Sequence, residues 1–345
     1  MHMQAIRLHA PDDLRVEELP LPAIGAGEIL LRTGAALICG TDLRMFRHGA
    51  KGLPLTLGHE LAGTIAEVGA GVQGYHPGMR VAVAPNFGCG VCDACVSGNT
   101  QLCAGLAAIG VTMDGGFGEF VRIPQAAVTQ GNVCPIGASV SFAAAAMAEP
   151  LSCVYNAFER SALRPGESVL VIGAGPIGLM HAKVYKMAGA GRVMINDVNA
   201  QRLAVCRQED PFFIPVGPGS VKEQVLELTG GKGADVVVTA ASAVSAQQAA
   251  FELAALNGRV IFFGGLPHDQ RMVPLDTNII HYKMITVTGT SRQSLRQYRL
   301  CLDLIGQGLV PVDSILTAKF GLDQAGCAFD HALRGEGLKT GFVMG

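Results

Sequence analysis

Charge is scarce in this chain. Asp, Glu, Lys and Arg make up 16% of its 345 residues, against 49% for the apolar types. The two signs nearly cancel at a formal net charge of −2, and the sequence has neither a basic stripe nor an acidic tail. The missing basic stripe argues against a nucleic-acid partner. Long apolar runs are missing too. The greasiest stretch, SVLVIGAGPIGLMHAKVYKMAGAG, is interrupted by glycines, Pro176, His181, Lys183 and Lys186. It falls short of the roughly 18 uninterrupted apolar residues of a membrane span, so no membrane partner is expected. The first residues, MHMQAIRLHAPDDL, lack the apolar core of a secretory signal, which predicts a cytoplasmic protein. No Pro-rich or Ser-rich linker and no internal repeat stands out, so a domain boundary has to be read from a change of pattern.

What is present fits a large folded chain. A length of 345 residues allows two domains, or one large one, with ample buried core. Gly reaches 45 residues but is scattered, which points to tight turns and close packing rather than to a repetitive sequence. There are ten cysteines. Without an export signal they read as thiols and metal ligands rather than disulfides.

Residues 1 to about 150 read as short strands and turns. EILLRTGAAL, GTIAEVG and RVAVAP are apolar runs bounded by Gly or Pro, the pattern of a β-rich, barrel-like domain. The pattern changes near SVSFAAAAMAEPLSCVYNAFERSALRPGES, an Ala-rich helical run that ends before Pro165. From there strands alternate with helices: SVLVIG, PIGLMHAKVYKMAG, RVMINDV, NAQRLAVCRQ, ADVVVTA, AVSAQQAAFELAAL, GRVIFFGG and MITVTGT. The fold class is therefore α/β, with a doubly wound parallel sheet covered by helices on both faces. The tail returns to a helix, SLRQYRLCLDLIGQG, and short strands, and is expected to fold back onto the first zone. The expected domains are 1–150 with 292–345, and 151–291.

VLVIGAGPIGLM carries Gly173, Gly175 and Gly178 in a G-x-G-x-x-G spacing. The motif alone is weak, because glycine is common here. Its context is specific. It follows an apolar strand, opens a helix at Pro176 and Ile177, and is followed by a second strand ending at Asp197, 19 residues past Gly178. Such a unit sets a pyrophosphate against free N–H groups and the positive end of the helix. Asp197 would accept hydrogen bonds from ribose hydroxyls and repel a 2′-phosphate, so NAD is expected in preference to NADP. Arg202 is a counterargument, since it could reach a phosphate or pair with Asp197.

Two groups of residues suggest metal. CGVCDACVSGNTQLC places Cys89, Cys92, Cys95 and Cys103 within 15 residues. Four thiolates at this spacing suit one tetrahedral Zn2+ in a closed structural site, with free thiols or a redox switch as the alternative. The second group is dispersed. LICGTDLR contains Cys39 and Thr41, LTLGHELAG contains His59 and Glu60, and AMAEPLSC contains Glu149. Each piece is weak alone. Together they form a mixed Cys, His and Glu set with room for water or substrate, which is how a catalytic zinc differs from a structural one.

The ordered set CGTD, GHELAGTIAEVGAGV, the four-cysteine loop, EPLSC and VLVIGAGPIGLM resembles the zinc-dependent medium-chain dehydrogenase/reductase superfamily over essentially the whole chain. The resemblance implies a β-rich GroES-like catalytic domain, a Rossmann NAD-binding domain, one catalytic and one structural zinc per chain, and hydride transfer from a secondary alcohol to NAD. Cys39 and His59 would bind the catalytic zinc, Glu60 would be a ligand or near neighbour, and Glu149 would bind directly or through water. Thr41 would start the proton relay. Gly265 and Leu266 in FFGGL, with Thr288 and Thr290 in VTGTS, would lie near the nicotinamide. EPLS resembles the polyol (sorbitol-type) branch, and FRHGAKGLPLTLGHE is similar to dehydrogenases of sugar-alcohol phosphates. The expected reaction is thus oxidation of a polyol or polyol phosphate to a ketose. A threonine-type or simple alcohol dehydrogenase, and a non-catalytic nucleotide-binding protein on the same fold, are the alternatives. A homo-oligomer, dimer or tetramer, is also implied. One departure stands out: many relatives carry His five residues after the zinc cysteine, and here that residue is Arg44.

The other cysteines, Cys134, Cys153, Cys206, Cys301 and Cys327, read as core thiols. His76, His181 and His281 read as structural or surface residues. Arg47, His48 and Lys51 read as a solvated loop, with recognition of a phosphate or carboxylate as the alternative.

Overall fold

The chain divides into two units, Met1–Ser152 with Gln293–Gly345, and Cys153–Arg292. The computed structural model describes residues 1–344.

The first unit is built on a seven-stranded sheet, with a three-stranded sheet and a two-stranded ribbon beside it. At its centre strand Ile29–Leu37 pairs antiparallel with Glu60–Val68 on one side and with Lys339–Val343 on the other. The register sets Leu37 opposite Glu60 and also opposite Gly341. Segments from three distant parts of the sequence therefore meet at one end of the central strands. Beneath it Ile6, Leu8, Leu31, Leu57, Phe117 and Phe342 are fully buried, each contributing on the order of 2 kcal/mol of apolar burial.

The second unit is an all-parallel six-stranded sheet. Its order is Phe213–Val216, Arg192–Asn196, Ser168–Ile172, Ala234–Thr239, Ala254–Phe262 and Thr286–Gly289. In chain order this is third, second, first, fourth, fifth and sixth. The direction of winding reverses between Ser168–Ile172 and Ala234–Thr239, the switch point where doubly wound sheets take dinucleotides. Val169, Leu170, Val171, Val193, Val237 and Val260 are buried without exposure, as strands covered on both faces require.

Two local readings need correction, and one stretch carried no expectation. The expected helix through residue 256 ends at Leu253, and Ala254 already pairs with Ala234. Ala favours helix, but sheet pairing overrides that preference. Strand Phe213–Val216 and helix Val221–Leu228 lie in the stretch without an expectation, where Pro211, Pro215, Gly217 and Pro218 interrupt the alternating pattern. Pro215 is tolerated because its strand is the sheet edge. Of the expected core thiols, Cys134, Cys206 and Cys301 are buried and Cys153 is half-buried, but Cys327 is exposed on helix Ala325–Arg334.

Candidate active site

Cys39 follows strand Ile29–Leu37 and caps helix Gly40–His48. Asp42, three residues on, accepts the Cys39 N–H through Oδ2 at 2.7 Å, which closes the first turn. The same carboxylate turns its other oxygen to His59, with Nδ1 to Oδ1 at 3.5 Å. An acid behind one ring nitrogen is the usual means of fixing a metal-ligating histidine. His59 and Glu60 enter from the adjacent strand, whose register with Leu37 brings them beside Cys39. The ligand atoms of Cys39, His59 and Glu60 all lie within 4.8 Å of one another. Glu149, on helix Ala148–Ser161, is outside that group. It is buried nearby, and its Oε1 accepts from Gln293 Nε2 at 3.0 Å.

Lys339 completes the cluster. Its ammonium donates to Glu60 Oε1 at 2.7 Å, while Glu60 Oε2 is buried with no hydrogen-bond partner. Sequence reading missed both Lys339 and Gln293. A lone Lys in a C-terminal strand carries no motif, and only the strand register brings it to Glu60.

The electrostatics describe a site that favours added positive charge. Burial opposes the charged form of His59, yet the negative charges of Asp42 and Cys39 prevail and hold its pKa well above the ordinary histidine value. Burial likewise opposes the Lys339 ammonium, but Glu60, Cys39 and Glu149 raise its pKa. Glu149 is raised by burial first and then by the charge of Glu60, against the opposing effects of His59, Lys339 and Gln293. Acidic groups outnumber Lys339 here. With one thiol, one imidazole and one carboxylate converging, and one oxygen of that carboxylate left without a partner, the donor set fits a zinc ion.

The four-cysteine loop also comes together. Cys89, Cys92, Cys95 and Cys103 are free thiols whose sulfurs lie within 4.8 Å of one another. Cys92 Sγ and Cys103 Sγ are 3.7 Å apart. A disulfide requires about 2.05 Å, whereas sulfurs around a tetrahedral zinc at Zn–S of about 2.3 Å sit about 3.8 Å apart. Backbone N–H groups of Val91 and Cys92 pull the Cys89 thiol down to about 6. Gly88 lets the loop close, since a Cβ there would sit 2.5 Å from Cys95 Sγ.

In the second unit the glycine motif joins strand Ser168–Ile172 to helix Pro176–Met187. Gly173 has φ +117°, which favours glycine, and a Cβ on Gly178 would collide with the Gly173 carbonyl oxygen. A Cβ on Gly175, by contrast, would meet nothing within 4 Å. The open side of Gly175 leaves room beside the start of the helix, where first-turn N–H groups have no intrahelical partner. Asp197 accepts from Ala174 N at 2.7 Å and from Asn199 N at 2.8 Å, so the acid is tied to the glycine turn itself. Arg202 is half-buried on helix Ala200–Glu209. Gly265 and Leu266 follow strand Ala254–Phe262, and Thr288 lies in the neighbouring strand Thr286–Gly289. The Thr290 N–H donates to the Phe262 carbonyl at 3.2 Å, and its hydroxyl is buried without a partner.

Comparison with known proteins agrees with both halves. The family described as "Alcohol dehydrogenase GroES-like domain" matches residues 25–133, and "Zinc-binding dehydrogenase" matches residues 176–307. The chain belongs to the zinc-dependent medium-chain dehydrogenase/reductase superfamily. It is 31% identical over 340 residues to sorbitol dehydrogenase of Bacillus subtilis, covering 96% of this chain and 94% of that one. It is 33% identical over 333 residues to L-threonine 3-dehydrogenase of Bacillus velezensis, covering 93% and 92%. A crystal structure of a dehydrogenase from Sinorhizobium meliloti bound to NADP matches it with a TM-score of 0.92 at 28% identity, covering both chains fully. The fold is the GroES-like plus Rossmann architecture, and the protein is a zinc-dependent dehydrogenase of the alcohol and polyol class that uses a nicotinamide dinucleotide. Among the described residues no helix is long and apolar enough to cross a membrane.

Proposed function

We propose that this dehydrogenase oxidises a secondary hydroxyl of a polyol or polyol phosphate to a ketone, with NAD as acceptor, at a zinc held by Cys39, His59 and an acidic neighbour. The convergence of the Cys39, His59 and Glu60 ligand atoms carries the reading. Zinc would supply Lewis-acid polarisation of the hydroxyl, and the nicotinamide would accept the hydride. Asp42 Oδ1 faces His59 Nδ1 at 3.5 Å, which would leave Nε2 as the ligand atom. Lys339 keeps one Glu60 oxygen, so the other is the one available to the metal. Gln293 donates to Glu149 and keeps it an acceptor, suited to hold a water or the ion. Thr41 carries the hydroxyl that takes the substrate proton, because it can accept and donate at once.

Cys89, Cys92, Cys95 and Cys103 would hold the second zinc, with a structural role. Gly173, Gly175, Pro176, Ile177 and Gly178 would cradle the pyrophosphate. Asp197 would receive the ribose, with Arg202 beside it, and Gly265, Leu266, Thr288 and Thr290 would line the nicotinamide end. NAD is favoured over NADP because the Asp197 carboxylate would repel a 2′-phosphate. A homo-oligomer is part of the reading. Strand Thr286–Gly289 is an open sheet edge, and Leu256, Tyr282, Met284 and Val287 around it are exposed. Ten free cysteines suit a reducing cytoplasm.

The test is a zinc assay beside an NAD-reduction screen of polyols, polyol phosphates, threonine and simple alcohols. Turnover on a polyol or its phosphate supports the reading. Turnover confined to threonine or to simple alcohols replaces the substrate, and none at all removes the catalytic site.

A further inference from the structure

Helix Gly40–His48 starts directly after Cys39, so its first turn adjoins the zinc-ligand cluster. Thr41 and Arg44 lie three residues apart on it and share a face. Arg44 Nη2 donates to Thr41 Oγ1 at 3.0 Å, which fixes the guanidinium beside the hydroxyl of the proton path. Arg44 is otherwise exposed, and among the described residues no carboxylate pairs with it. Its neighbours differ. Arg47 Nη1 is held by Asp12 Oδ1 at 2.7 Å, and Lys339 by Glu60 at 2.7 Å. Arg44 is thus a positioned cation with no ion-pair partner of its own among the described residues.

An arginine stays protonated and has no acceptor, so Arg44 cannot take the proton that a histidine at this position could. Its chemistry is recognition of anions: a planar fork of N–H donors that matches carboxylate and phosphate oxygens. One donor is on Thr41 and the others remain. The reach is right. A substrate hydroxyl bonded to Thr41 would lie about 2.7 Å from Oγ1. It would therefore be within about 6 Å of the guanidinium nitrogen bonded to the same oxygen. A carboxylate or phosphate on a carbon next to the carbinol, or one further along, spans that gap.

We propose that Arg44 anchors an anionic group of the substrate, so that the preferred substrate is an alcohol bearing a carboxylate or a phosphate close to its reacting hydroxyl. This rests on the reading of Cys39, His59 and Thr41 given above. Arg44 then decides specificity through the far end of the molecule, while Thr41 acts on the reacting hydroxyl.

The experiment compares kcat/KM of the zinc-loaded enzyme with NAD on a matched set: a neutral polyol, the corresponding aldonate and the corresponding monophosphate. One of the anions should exceed the neutral polyol by about tenfold or more, and added salt should erode that margin. The winning anion identifies the source, carboxylate or phosphate. R44M should lower the anion-to-neutral ratio by about tenfold, mainly through KM, and R44K should keep part of it. R47M, which removes a cation already held by Asp12, should leave the ratio as it is. A direct titration of inorganic phosphate and malonate into zinc-loaded wild type and R44M covers any loss of turnover through Thr41, with weaker binding expected for R44M. Equal kcat/KM for all three substrates, a ratio unmoved by R44M, or equal anion binding by both proteins overturns the proposal and leaves the zinc dehydrogenase reading standing. Failure to oxidise any alcohol removes both.

Discussion

Lys339 Nζ donates to Glu60 Oε1 at 2.7 Å across 279 residues of chain, and neither side chain is more than 6% exposed. Two charges have been taken out of water to make this contact, and such burial is sustained only when each charge has a partner. The pair divides Glu60: one oxygen is committed to the lysine, and the other is buried without a hydrogen-bond partner, in a carboxylate that converges with Cys39 and His59.

Replacing Lys339 with Met leaves the Glu60 carboxylate buried without its partner. The loss should be about 3 to 5 kcal/mol in metal-depleted protein, read by denaturant unfolding. In zinc-loaded protein it should be smaller, because the ion supplies the compensating charge. Stability equal to wild type in both forms would show that the pair is not structural support for the site.

Gln293 is expected to act on the metal through Glu149. Q293M removes the 3.0 Å donor to Glu149 Oε1 and should alter the visible absorption of protein loaded with cobalt in place of zinc. A spectrum identical to that of wild type would mean that Glu149 neither contacts the ion nor holds its water.

The four-cysteine loop should hold metal without taking part in turnover. C95S should lower the metal content from two zinc ions per chain to one, lower the unfolding temperature and expose the loop to proteolysis. Retention of both ions would contradict a four-thiolate site.

Asp197 is expected to set the choice of dinucleotide. D197A should weaken NADH binding and raise the ratio of NADP to NAD usage, as measured by kcat/KM for each. Because Asp197 also accepts the Ala174 and Asn199 N–H groups, some loss of stability should accompany the change. An unmoved cofactor ratio would leave this acid a purely structural brace of the glycine turn.

Much of this was legible in sequence because the chemistry is local. Four cysteines within 15 residues, and three glycines between a strand and a helix, carry their geometry in their spacing. Cys39, His59 and Glu60 were legible only as members of a known pattern, since the strand pairing that joins them is long-range. Lys339 and Gln293 were not legible at all. Both meet their partners through contacts spanning well over a hundred residues, and neither residue type signals burial. The strand at Phe213–Val216 was hidden by its proline, whose tolerance depends on being at the sheet edge, a property of the fold and not of the segment.

The most direct test of the account is metal analysis of C39S beside wild type, with NADH binding followed by fluorescence and turnover by NAD reduction. The account predicts two zinc ions in wild type and one in C39S, with NADH binding kept and turnover lost. Two ions and full turnover in C39S would contradict a catalytic zinc at Cys39.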